Sequence, residues 1–63
     1  MDITVSEGPT CGDLVRVTRL RGLVRVSWVS RYDGGEMTWA WGDLDQEQAI
    51  ALRDALDAAI GGR

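Results

Sequence analysis

The stretch that decides the fold is VRVSWVSRYDGGEMTWAW, residues 24–41. Two runs in which large apolar residues alternate with polar ones flank Asp33-Gly34-Gly35. An Asp-Gly pair between two alternating runs is a strong signal for a β-hairpin. All three tryptophans of the chain lie in this stretch, so the predicted hairpin carries most of the large apolar side-chain area.

The hairpin register follows from the side chains that must share one face. With Asp33-Gly34 as a two-residue loop, the predicted cross-strand pairs are Tyr32–Gly35, Ser30–Met37, Trp28–Trp39 and Val26–Trp41. A loop at Gly34-Gly35 keeps the same faces but sets Asp33 against Glu36, which is an unfavourable like-charge pair. A three-residue loop would separate Trp28 from Trp39, so an even-length loop is predicted.

A second turn extends the same face. Leu14 to Leu20 also alternates, and Arg21-Gly22 then turns the chain. Pairing Leu20 with Leu23 places Val15 and Val17 on the tryptophan face. Arginine is a poor residue for the positive φ of a primed turn, so a four-residue loop over 20–23 stays open as an alternative.

A helix is predicted after the third of these strands. Asp45 is placed to cap its N-terminus, and Gln48 completes a capping-box pattern. Gln46 to Ile60 contains no Gly or Pro, and Gly61 is the expected left-handed residue that follows the helix. One apolar stripe runs along the predicted helix at three- and four-residue spacing: Ala49, Leu52, Leu56, Ala59 and Ile60.

These elements predict an α+β fold, an antiparallel β-meander of three or four strands with one C-terminal α-helix packed on one face. Residues 1–63 form a single domain, with a short strand and a loop in 1–13, the β-meander in 14–42 and the helix in 45–60. The helix stripe is expected to cover an inner sheet face made of Val15, Val17, Val24, Val26, Trp28, Met37, Trp39 and Trp41.

Composition argues against catalysis and towards association. The chain has no histidine, one cysteine (Cys11) and a net charge of −3. Neither an activated nucleophile nor a set of metal ligands is evident, so we predict a non-enzymatic protein with no cofactor, no metal site and no small-molecule substrate. A chain of this size buries a small core, which favours self-association, with a homodimer as the simplest form. No signal sequence or membrane-spanning run is visible, and the free thiol fits a cytoplasmic location.

The opposite, outer sheet face is the predicted contact surface, because it mixes aliphatic side chains with arginines. Its predicted partner-binding residues are Leu14, Arg16, Leu20, Leu23, Arg25, Val29 and Arg31. Changing Val29 to Glu is expected to leave the fold intact and to abolish association. A solvated face with no partner is the plain alternative.

The helical segment Leu44–Ile60, LDQEQAIALRDALDAAI, resembles the terminal helix of many small uncharacterised proteins of actinobacteria and their phages, and the Ala/Arg/Asp/Gly-rich composition fits a GC-rich genome. The resemblance implies an accessory protein that acts by binding. The leading hypothesis is therefore a phage-encoded module that dimerises or engages a host protein. A nucleic-acid-binding regulator that uses Arg16, Arg25 and Arg31 is the second hypothesis. A structural component of a larger assembly, with contacts at Leu20 and Leu23, is the third.

Overall fold

Four antiparallel strands and one helix make up the computed structural model, which describes residues 1–61. The elements are β1 (Asp2–Glu7), β2 (Cys11–Leu20), β3 (Leu23–Tyr32), β4 (Gly35–Leu44) and α1 (Gln46–Gly61). The strands lie side by side in chain order, each hydrogen-bonded to the next. This is the predicted α+β meander with a C-terminal helix. No helix within residues 1–61 is both long enough and apolar enough to cross a membrane.

The β2–β3 and β3–β4 hairpins close with two-residue loops, as the alternation predicted. Leu20 pairs with Leu23 and Tyr32 pairs with Gly35. The second loop residue has positive φ in each case, 73° at Gly22 and 95° at Gly34. Arg21 keeps a negative φ, so the tight β2–β3 loop places no strain on arginine, and the four-residue alternative is wrong.

The β3–β4 register contains a bulge that the alternation did not predict. Val29 pairs with Thr38, but Trp28 pairs with Ala40, so Trp39 is an extra residue in β4. The predicted Trp28–Trp39 and Val26–Trp41 pairs are therefore wrong. The shift has a physical reason, because it sets small Ala40 opposite bulky Trp28.

The same shift also gives the Asp43 carboxylate an oppositely charged partner. It brings Asp43 opposite Arg25, and it brings apolar Leu44 opposite Val24. Without the bulge, Asp43 would stand opposite Val24, where no guanidinium could reach it directly across the pair. Beyond the bulge, Trp41 pairs with Ser27, which puts its indole on the sheet face opposite to that of Trp28.

The sheet thus has two chemically distinct faces. We call one the indole face, made of Ile3, Val15, Val17, Val24, Val26, Trp28, Met37 and Trp39. We call the other the ion-pair face, made of Asp2, Leu14, Arg16, Leu20, Leu23, Arg25, Ser27, Val29, Arg31, Glu36, Trp41 and Asp43.

Burial is the reverse of the expected pattern. Leu14 and Val29, with 5% and 1% of their surface exposed, are the buried apolar side chains of residues 1–61, and both lie on the ion-pair face. Trp28, Met37 and Trp39 are exposed. The prediction that α1 covers the indoles is therefore wrong, although α1 does contact β3 and β4.

The position of α1 follows from the length of the connection that precedes it. Asp45 alone separates Leu44 from Gln46, and two residue steps span at most about 7 Å. Packed layers of secondary structure lie roughly 10 Å apart, so this short connection holds the start of α1 close to the plane of the sheet. The helix packs at the β2–β3 turn end of the sheet, where Ala49 is its one half-buried residue within 46–61.

The start of α1 is fixed as predicted. The Gln48 backbone N–H donates to Asp45 Oδ1 at 2.8 Å, and the Asp45 N–H donates to Gln48 Oε1 at 3.0 Å. This reciprocal capping box satisfies two amides at the end of the helix. Gly61 belongs to α1 and does not have the predicted left-handed conformation.

Candidate protein-interaction surfaces

An ion-pair network crosses the ion-pair face. Arg16 donates from Nε to Asp2 Oδ1 at 2.9 Å and from Nη1 to Glu36 Oε1 at 3.0 Å. Arg31 donates from Nη2 to the same Glu36 carboxylate at 3.1 Å. The hydrogen bonds from Arg16 lower the pKa of both the Asp2 and Glu36 carboxyl groups, and the two carboxylates raise the pKa of Arg16.

This network explains which side chains are buried. Arg16 pairs with Ser27 in one cross-strand row, and Glu36 pairs with Arg31 in another. Leu14 and Val29 form the row between them, so the Arg16–Glu36 bridge spans that row. Paired charges with long aliphatic stems shield this small apolar core from water.

A second ion pair lies further along the same face. Arg25 donates from Nε to Asp43 Oδ1 at 2.8 Å and from Nη2 to Asp43 Oδ2 at 3.1 Å. The hydrogen bond from Arg25 lowers the pKa of the Asp43 carboxyl. The Arg25 guanidinium also lies 4.4 Å from the centroid of the Trp41 ring, a cation–π distance.

The predicted partner-binding residues share the ion-pair face, but they do not form the expected open surface. Leu14 and Val29 are buried, so the expectation that they lie exposed at its centre is wrong. The three arginines already hold carboxylates, which leaves little positive charge free for a nucleic-acid backbone. Leu20 is half-buried and Leu23 is exposed, and both line a cleft between the β2–β3 turn and α1.

The signal that sequence reasoning missed is charge pairing across strands. Asp2, Glu36 and Asp43 each bind an arginine of this face. Testing alternative registers for opposite charges at facing positions would have found the Arg25–Asp43 pair, and with it the bulge.

The indole face carries one polar row that ends at a tryptophan. Ser6 and Ser30 donate to the two Asp13 carboxylate oxygens at 3.3 and 2.6 Å. The indole Nε1–H of Trp39 donates to Ser30 Oγ. The bond to Ser30 shows that the bulged Trp39 lies on the indole face and holds its ring in a fixed orientation.

Apart from this row and Arg19, which pairs with Val24 near the β2–β3 turn, the indole face is apolar and open. Ile3, Trp28, Met37 and Trp39 are exposed, and Trp39 retains 63% of its surface. The valines of β2 and β3 on this face (Val15, Val17, Val24 and Val26) are only half-buried. The side chains of four strands therefore present a continuous hydrophobic surface to water.

The loop predicted within residues 1–13 is short and covers only residues 8–10. β1 and β2 flank it, and the Gly8 N–H donates to the Cys11 carbonyl oxygen at 2.7 Å, which closes the turn. Gly12 lies so close to β1 that a Cβ there would stand 2.8 Å from the Ser6 carbonyl oxygen. Cys11 is exposed at this end of the sheet.

Known proteins provide no independent guide to either face. Comparison of the chain with protein-family models, with curated proteins and with solved structures finds no match.

Proposed function

We propose that this protein is a non-enzymatic protein–protein interaction module and that the indole face is its contact surface. The observation that carries the proposal is the exposure of this face, where two tryptophans, a methionine and an isoleucine lie open. Folded chains rarely leave so large a continuous apolar patch in water unless the patch binds another molecule. The ion-pair face differs, because its central apolar residues Leu14 and Val29 are buried and its arginines are paired with carboxylates, and Trp41 is its one tryptophan.

Trp39 is the expected anchor of the contact. Tryptophan is enriched among the residues that dominate binding energy at protein interfaces. The hydrogen bond to Ser30 favours one orientation of the Trp39 ring before a partner binds, which reduces the side-chain entropy lost on binding. If the chain is a phage-encoded accessory protein, its indole face would bind the host protein. The choice of this face rests on its exposure and not on the origin of the chain.

Trp39 and Trp41 supply a matched test. The two side chains are exposed to 63% and 61%, but Trp41 lies on the ion-pair face. The full chain, Trp39→Ser and Trp41→Ser are immobilised, and each is challenged with the purified full chain and with a lysate of source cells. We expect Trp39→Ser to lose retained protein and Trp41→Ser to keep it. Equal retention by both variants, or no retention by the full chain, would remove the proposal.

A further inference from the structure

The dimensions of the chain do not fit a compact monomer. Its radius of gyration is 13.5 Å, whereas a compact domain of this length has a radius of gyration of about 11 Å. Its accessible surface is 5110 Å², whereas a folded monomer of this mass exposes about 4,000 Å². The difference of roughly 1,100 Å² is comparable to the ~800 Å² that each partner buries in a standard protein interface.

The excess surface includes two apolar regions that do not cover each other. One is the indole face. The other is the stripe along α1, where the exposed fraction rises from 41% at Leu52 to 55% at Leu56 and 70% at Ile60. The stripe is a narrow ridge and the indole face is a broad surface, and a helix laid across a sheet buries both. A single residue, Asp45, connects β4 to α1, and α1 leaves the indole face of its own chain exposed.

We propose that the partner of the indole face is a second copy of this chain, bound so that α1 of each copy lies across the indole face of the other. This inference rests on the function proposed above and names its partner. One two-fold axis generates both contacts, so the indole face of each copy is covered by the helix stripe of the other. The product is a symmetric dimer of two sheets, each closed by the helix of its partner.

The first experiment measures the molar mass of the purified full chain by light scattering and sedimentation over a wide concentration range. We expect twice the chain mass of 6.9 kDa. Leu56→Glu in the helix stripe and Trp39→Ser on the indole face are each expected to raise the dimer dissociation constant at least about tenfold. Trp41→Ser is the control and should keep the mass of the full chain. Circular dichroism of each variant monitors folding.

Mixing the two weakened variants tests the reciprocal arrangement. A heterodimer of Trp39→Ser with Leu56→Glu contains one contact in which both the helix and the sheet face are unaltered, whereas each homodimer contains none. One substitution already disrupts a contact, so a second substitution in the same contact costs little more, and we expect the mixture to associate more tightly than either variant alone. A dimer weakened by Trp39→Ser but not by Leu56→Glu would overturn helix exchange in favour of direct packing of two indole faces, and absence of gain on mixing would also overturn it.

A monomeric mass at every concentration would overturn the inference about the second copy. The proposed function would survive that result if the full chain still retained a different protein from lysate in a Trp39-dependent manner. It would fail with the inference if retention from lysate were also absent. The two failures are therefore distinguishable.

Discussion

Trp39 and Trp41 lie two residues apart in one strand and are almost equally exposed, yet their indoles lie on opposite faces of the sheet. Residues at that spacing share a face in a regular strand, and the bulge at Trp39 separates them. Trp39 bonds to Ser30 on the indole face, and Trp41 stacks with Arg25 on the ion-pair face. The pair therefore compares the two faces within one short segment.

Fluorescence should report which indole becomes buried on association. Two variants are compared: Trp28→Phe combined with Trp41→Phe keeps Trp39 alone, and Trp28→Phe keeps Trp39 together with Trp41. As the concentration rises, we expect the emission of Trp39 to shift to shorter wavelength and its quenching by acrylamide to fall, because its ring leaves water. The emission of Trp41, taken as the difference between the two variants, should not change. Equal shifts for both indoles would contradict an interface restricted to the indole face.

Val29 should be the most sensitive position of the small core. Val29→Ala is expected to lower the free energy of unfolding by about 2 kcal/mol, because it removes buried methyl groups and leaves a cavity. Val5→Ala makes the same chemical change at an exposed position and should shift the free energy by less than about 0.5 kcal/mol. Urea unfolding at one fixed protein concentration measures both variants.

Val29→Glu should prevent folding, since it would place an unpaired carboxylate at a site with 1% exposure. This prediction replaces the sequence-based one, because the structure contradicts the exposure of Val29 on which that one was based. A native circular dichroism spectrum for Val29→Glu would contradict the assigned burial.

The carboxylates of the ion-pair face predict loss of stability in acid. The bound arginines hold the pKa of Asp2, Glu36 and Asp43 below the ordinary values of 3.8 for Asp and 4.5 for Glu. A carboxyl with a lowered folded-state pKa stabilises the fold above its ordinary pKa and loses that contribution as the pH falls through the folded value. We expect the urea midpoint to fall as the pH drops below these ordinary values.

Asp43→Asn is the matched variant for this pH dependence. It removes one titrating group and should make the decline in the urea midpoint less steep in acid. High salt should also reduce the effect, because these ion pairs are accessible to solvent. An unchanged midpoint from neutral pH into acid would show that the ion pairs add nothing to stability.

Gly12 should resist substitution because of its contact with β1. In Gly12→Ala the new Cβ would lie 2.8 Å from the Ser6 carbonyl oxygen, so β1 must move. We expect a loss of about 1–3 kcal/mol in the free energy of unfolding. Gly42→Ala is the control, because nothing lies within 4 Å of its added Cβ. Similar unfolding midpoints for the two variants would show that β1 is not held closely against β2.

The sequence predicted features that depend on neighbours along the chain. Both two-residue loops, the Leu20–Leu23 pair and the capping box of Asp45 and Gln48 follow from local residue chemistry. The bulge could not be predicted in this way. The alternating pattern assumes that every second residue shares a face, and it takes no account of the charge on Asp43, which pairs with Arg25 across the strands. The exposed indole face was missed for a different reason. A helix stripe and an apolar sheet face in one chain do not specify that they meet within one copy.

Asp45 therefore has a consequence beyond capping. A connection of one residue is short. Several added glycines would let α1 fold back onto the indole face of its own chain, where its high effective concentration would let it displace α1 of the partner. The length of the connection at Asp45 would then decide whether the chain is a monomer or an intertwined dimer. Small insertions at this joint would offer a short evolutionary route from one quaternary state to the other without altering either contact surface.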